Sequence, residues 1–213
     1  MKCLLCGKSL QTEITFTNLL CLKKEEEIVC ESCISSFESI GGNHCPTCFK
    51  KGMSIICQDC QFWCKKGVKV DHVALYSYNQ AMKEYFSRYK FDGDYLLRKV
   101  FSEILQKELK KYKDYQIVIV PLSDQRFKSR GFNQVEGLIK DTGLAYLDIL
   151  VKKEVEASSS KNRSDRLLAE FPFLLKDGVK IPENILLFDD IYTTGTTLNR
   201  LKSMLLEAGC QNI

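Results

Sequence analysis

The chain has 213 residues, a formal net charge of +4, and 45% hydrophobic and 27% charged residues. That length suits one ordinary core with a small appendage, and the apolar content excludes a disordered chain. No apolar run approaches the roughly 20 residues that cross a membrane, and the mild basicity is too weak by itself to argue for a nucleic-acid partner.

Met1-Lys2-Cys3-Leu4-Leu5-Cys6 lacks the apolar stretch of a signal peptide, so the expected location is the cytoplasm. Ten of the eleven cysteines lie in the first 64 residues, which places a domain boundary near 66: a cysteine-rich head over 1–66 and a main domain over 67–213. In a reducing compartment such clustering points to metal rather than to disulfides. Four C-x-x-C pairs follow one another, Cys3/Cys6, Cys30/Cys33, Cys45/Cys48 and Cys57/Cys60. Two sulfurs two residues apart turn inward from one tight knuckle, and two knuckles supply a tetrahedral Zn(II) site, so eight ligands imply two structural zincs. Sequential pairing gives the shorter loop closures and a double zinc ribbon, and an interleaved cross-brace is the alternative. Cys21 and Cys64 fall outside the pattern and are expected to be unliganded, and His44, beside Cys45, is a substitute ligand candidate weaker than the cysteines. All-cysteine coordination leaves no open catalytic position, so the metals staple a segment too small to bury its own core. The other reading makes the head a docking surface for DNA or protein.

Val73 to Tyr78 suits a strand, and Met82, Tyr85, Phe86 and Tyr89 then recur at helical spacing until Lys90-Phe91-Asp92-Gly93-Asp94 breaks the pattern. Leu96, Leu97, Val100, Phe101, Ile104, Leu105 and Leu109 predict a second, longer amphipathic helix. Ile117 to Val120, ended by Pro121, reads as a buried parallel strand, followed by a loop and by a helix opening at Asn133 and Gln134. Ile185 to Phe188 is a second such strand, and its following helix carries Leu198, Leu201, Met204 and Leu205 up to Gly209. Alternating strand and helix predict a parallel α/β sheet flanked by helices, and a further strand is expected beyond Gly209.

After the second strand comes Asp189-Asp190-Ile191-Tyr192-Thr193-Thr194-Gly195-Thr196-Thr197. It places two carboxylates at a strand's C-terminal end and a hydroxyl-rich turn at a helix N-terminus, where open α/β sheets bind ligands. Unsatisfied amides of the first helical turn and the positive end of the helix dipole suit a phosphate monoester. Gly195 allows close backbone approach, the hydroxyls of Thr193, Thr194, Thr196 and Thr197 can donate to phosphate, and Asp189 and Asp190 can accept from vicinal ribose hydroxyls. A capped acidic turn explains Asp190 or Thr196 separately, but not the whole succession.

Leu186 to Thr197 resembles the phosphoribosyl pyrophosphate signature of type I phosphoribosyltransferases. The cysteine head, then Arg126-Phe127-Lys128-Ser129-Arg130-Gly131-Phe132-Asn133-Gln134, then this signature, resembles the ComF (ComFC) family of competence proteins over essentially the whole chain. The resemblance implies a type I phosphoribosyltransferase-like fold behind a double zinc ribbon. It implies that Asp189 and Asp190 hold the ribose and carry any catalysis, that Thr193 to Thr197 hold the 5-phosphate, and that Pro121-Leu122-Ser123 is the pyrophosphate loop. Arg126, Lys128 and Arg130 would then face the pyrophosphate, with Mg(II), or else form a solvated or DNA-facing patch. Lys152 to Arg166 occupies the place of a loop that closes over substrate, with Arg163 and Arg166 as anion-binding candidates; Ser158 and Ala169 depart from the family's Gln and Asn. Lys90 and Tyr89 are acceptor-side candidates. The family's role, DNA uptake in transformation beside the ComFA helicase with single-stranded DNA, and the fold's role, phosphoribosyl transfer, stand as two expectations with no membrane insertion in either.

Overall fold

The computed structural model describes residues 1–10, 28–154 and 171–213. Among the described residues three parallel strands form the central sheet, in the order β2 (Tyr146–Leu147), β1 (Gln116–Ile119), β5 (Ile185–Phe188). β1 and β5 run in register from Gln116↔Ile185 to Ile119↔Phe188, and the Val120 amide donates to the Phe188 carbonyl at 3.0 Å, extending the ladder. An antiparallel pair, β3 (Leu150–Lys152) and β4 (Phe173–Leu175), lies beside it. Asn212 bridges Asn184 in parallel on the outer edge of β5, so the expected pairing beyond Gly209 is started there.

Both faces of the sheet are covered, which is why its strands read as unbroken apolar runs. Ile117, Ile119, Leu186 and Phe188 face one cluster, and Val118, Val120, Ile185 and Leu187 face the other. The first is built on α3 (Gln80–Lys90), α4 (Ser102–Leu109) and α6 (Gln134–Lys140); the second on α7 (Thr196–Glu207), whose Leu201 and Leu205 are fully buried. Asn79 caps α3 by accepting from the Met82 amide at 3.0 Å, and Met82, Tyr85, Phe86 and Tyr89 are all buried as their spacing predicts. Gly137 lets α6 lie against α3: a Cβ there would overlap the Tyr89 hydroxyl.

Two expectations are corrected. Val73 to Tyr78 is extended but is not a strand of the sheet, because its backbone bonds go to the head: Tyr76 bridges Ser39, and the Ile40 amide donates to Leu75 O at 3.1 Å. The single helix expected over 96–109 is a 3-10 segment, Tyr95–Phe101, followed by α4. The tighter winding swings Leu96 out to 53% exposure while burying Leu97, Val100 and Phe101.

The head packs onto this body. Phe37 joins the first cluster edge-on to Phe101 at 4.9 Å, and Arg88 of α3 donates to the carbonyls of Leu4 and Leu5. Between residues 71–78, α4 and the outer edge of β5 lies a mainly apolar cavity of about 360 Å³ that reaches Asp189 and Asp190 at one end.

Candidate functional site

The sheet order dictates where a site can form. From β1 the chain leaves toward β2 on one side, with α6 on one face, while β5 lies on the other side, with α7 on the opposite face. The C-terminal ends of β1 and β5 therefore diverge at a switch point, the crevice where open α/β sheets take ligands. Because the two strands are in register, the turn 120–123 and the turn 189–195 emerge side by side. The two loops singled out in the sequence, far apart along the chain, meet here.

α7 begins at Thr196, and Gly195 at its N-cap adopts φ +74°, a left-handed conformation. A Cβ on Gly195 would overlap the Tyr192 hydroxyl and lie 2.6 Å from the Asn199 amide nitrogen, so only glycine fits. Thr194 and Thr196 share a hydroxyl–hydroxyl bond of 2.9 Å, Thr193 is exposed, and Thr197 lies half-buried in the first turn. The amides of that turn have no intrahelical acceptor.

Asp189 accepts from the Asp190 amide at 2.9 Å. Burial, then the neighbouring charge of Asp190, pushes the Asp189 carboxyl up to about 7. Asp190 pairs with Lys90, both side chains nearly buried at 8% and 11% exposure, and the Lys90 ammonium also lies 4.4 Å from the centre of the Phe86 ring. Of the two acceptor-side candidates, Lys90 is thus the counter-ion of Asp190. Tyr89 is fully buried, and its hydroxyl donates to Gln134 O at 3.0 Å, so it belongs to the core.

On the β1 side, Leu122 is half-buried and Ser123 is buried ahead of a short helix, α5 (Asp124–Arg130). Arg126 and Lys128 are exposed on it rather than in a loop. Arg130 donates to Gln134 Oε1 at 2.6 Å and lies 5.5 Å from the centre of the exposed Phe91 ring. The Gln125 amide at the start of α5 donates to the Glu154 carboxylate, tying β3's outgoing end to this turn. Burial and the nearby Arg126 charge hold Lys152 below its usual value, against the opposing pull of Asp189 and Glu154. Arg130 is likewise lowered, by burial and by Arg126, with Asp190 acting in the opposite sense. Carboxylates and cations therefore share one crevice. The sequence marks Lys152 only as the start of a loop; that it feels the charges of Asp189 and Glu154 depends on β3 packing and carries no sequence signal. Arg163 and Arg166, with Cys21, Ser158 and Ala169, lie outside the described residues.

The cysteines form two groups, Cys3/Cys6/Cys30/Cys33 and Cys45/Cys48/Cys57/Cys60, each with its sulfurs within 4.8 Å of one another. This is the sequential pairing. Four thiolates about 2.3 Å from a tetrahedral zinc stand about 3.8 Å apart. The separations are 3.7 Å for Cys6/Cys30, 3.6 Å for Cys48/Cys57 and 3.9 Å for Cys45/Cys60. Backbone amides of Cys30 and Cys57 donate to the sulfurs of Cys3 and Cys45 at 3.3 Å, favouring the thiolate form. Each group can hold one zinc ion, while His44 stacks on Phe49 and Cys64 stays exposed, both outside the two groups.

No family model matches the chain, and no solved structure matches it. Curated relatives are: the competence protein ComFC of Streptococcus pneumoniae is 59% identical over 213 residues, covering 100% of this chain and 97% of its own. A competence protein ComFC of Bacillus subtilis is 34% identical over 215 residues, covering 97% of this chain and 89% of its own. Competence protein F of Haemophilus influenzae is 25% identical over 210 residues, covering 86% and 85%.

Proposed function

The chain belongs to the ComFC family of competence proteins, and from that premise we propose that it serves DNA uptake during natural transformation as a phosphoribosyl pyrophosphate-binding protein acting in the cytoplasm beside the ComFA helicase. The observation that carries the ligand reading is the meeting, at one switch point, of two carboxylates, a glycine-capped helix N-terminus and the turn after β1. The α7 amides and threonine hydroxyls receive the 5-phosphate. Asp189 and Asp190 accept from the ribose hydroxyls. The Leu122–Ser123 turn, with Arg126, Arg130 and Lys152 near it, receives the pyrophosphate. Mg(II), when bound, would neutralise part of that charge. No helix among the described residues is long and apolar enough to cross a membrane.

Calorimetric titration of the Mg(II) complex of phosphoribosyl pyrophosphate into the protein tests this reading. Binding that disappears in Asp189→Asn/Asp190→Asn supports it, and no binding by the unaltered chain ends it. The cations beside the pyrophosphate turn favour a second reading, an active Mg-dependent phosphoribosyltransferase of nucleobase or nucleotide metabolism, because a leaving pyrophosphate needs such donors as its C1–O bond breaks. Pyrophosphate release that depends on an added nucleobase distinguishes transfer from binding alone. The exposed Phe127 (48%) and Phe91 (75%) beside these cations also suit single-stranded DNA, on which bases stack and phosphates pair.

A further inference from the structure

Thr194 ends the turn that precedes α7, and its carbonyl oxygen accepts from the indole nitrogen of Trp63 at 2.9 Å, a contact spanning 131 positions of chain. Trp63 is 5% exposed and sits on α2 (Gln58–Lys65), the helix that also carries Cys60 and is N-capped by Cys57. Tyr192 packs against the cluster formed by Cys45, Cys48, Cys57, Cys60, Trp63 and Val70. His72 stacks on Tyr192 with ring centres 4.1 Å apart, while its backbone amide donates to Thr47 O, inside the Cys45/Cys48 knuckle, at 3.0 Å. The second cysteine group is thus joined to the phosphate turn by a hydrogen bond, a packed ring and a stacked ring. The first group packs instead toward α3, through Leu4 and Leu5.

The geometry points to a regulatory coupling: the Cys45/Cys48/Cys57/Cys60 module positions the phosphate-binding turn, with Trp63 as its positioning residue, so that anion binding depends on the integrity of this module and not on the first. A peptide unit is planar and, here, trans, so its C=O and following N–H point in opposite directions. Trp63, by fixing the Thr194 carbonyl toward the module, aims the Gly195 N–H the other way, away from the module. Tyr192, braced on the same module, holds its hydroxyl against Gly195, where a Cβ would stand. Loss of the module's metal frees α2 and with it both restraints.

The ligand part of this inference rests on the phosphoribosyl reading; the ordering of the turn does not. The test uses the full-length, zinc-loaded protein and Trp63→Phe, which keeps an aromatic ring and removes the N–H donor together with part of the indole's buried volume. Hydrogen exchange followed by mass spectrometry is expected to show faster exchange over 192–199 in Trp63→Phe, with peptides of α3 and the first cysteine group unchanged. Cys48→Ser is expected to loosen the same segment and Cys6→Ser to leave it protected. Equal protection of 192–199 in all variants, or equal loosening by Cys6→Ser, overturns the coupling. Trp63 is the chain's only tryptophan, so its emission also reports the contact. Ribose 5-phosphate is expected to change that emission in the unaltered protein and to bind about two- to tenfold more weakly to Trp63→Phe, the worth of one neutral hydrogen bond. Calorimetric binding of ribose 5-phosphate with no change in emission and no loss in Trp63→Phe refutes the coupling. Absence of calorimetric binding refutes the ligand reading, and the exchange result then decides the coupling alone.

Discussion

Replacing Asp189 by asparagine removes one ionisable carboxyl while preserving its shape. In the folded protein, burial and the adjacent Asp190 raise that carboxyl from 3.8 to about 7. A shift of this size corresponds to at most about 4 kcal/mol of native-state penalty on the ionised form. Since the folded value is raised, the folded protein holds a proton over a range where the unfolded chain has released it. Stability from this group is fully present below pH 4 and is lost as pH rises through about 7. Urea melts from pH 5 to 8 are expected to show the unaltered protein losing stability with rising pH and levelling above 7, while Asp189→Asn lacks that component. The substituted protein is then the more stable of the two at pH 8, by a margin that narrows to roughly 1–2 kcal/mol at pH 5 and closes below pH 4. Parallel profiles, or a less stable Asp189→Asn at pH 8, refute the assignment of a protonated, buried Asp189. Under the proposed ligand reading the same proton links to binding: sugar hydroxyls donating to Asp189 would favour its ionised form, so binding near pH 6.5 should release protons, measured as buffer-dependent heat that Asp189→Asn abolishes.

Gly195→Ala forces a Cβ onto a φ of +74° and into the Tyr192 hydroxyl, so thermal and urea melts should show a loss of roughly 2–4 kcal/mol together with loss of phosphate-ligand binding. Lys90→Met strips the counter-ion from Asp190, which is 8% exposed, and should cost about 3–5 kcal/mol; recovery of most of that loss in Lys90→Met/Asp190→Asn identifies the unpaired charge as the cause. Cys48→Ser should lower bound zinc, measured by metal analysis, from two ions per chain to one, whereas Cys64→Ser should leave it unchanged. Arg126→Ala should reduce the salt dependence of any single-stranded DNA binding by about one unit of slope, read from titrations at several salt concentrations.

The relation of sequence to site is clearest at Asp190. The run of two acids, threonines and Gly195 is contiguous, so its strand, turn and helix N-terminus were legible from spacing alone, as were the cysteine knuckles two residues apart. The alternation of apolar runs and helical periodicities in the same way announced a parallel α/β sheet. Val73 to Tyr78 misled because an extended apolar segment has the same signature whether it joins a sheet or spans a cavity wall; its partner, Ser39, lies in the head. The 3-10 winding of Tyr95–Phe101 was hidden because Leu97, Val100 and Phe101 stand at i, i+3 and i+4, a spacing that either winding satisfies.

By itself, then, the sequence determined the local chemistry: which sulfurs form knuckles, which loop suits phosphate, and which family the order of parts resembles. Only the tertiary structure decided what each loop faces. The register of β1 against β5 set the two turns side by side, Lys90 came to Asp190 across 100 positions, and Trp63 reached Thr194 across 131. Periodicity and spacing act over a few residues, whereas these contacts depend on which apolar faces pack together, and packing is settled by the whole core at once.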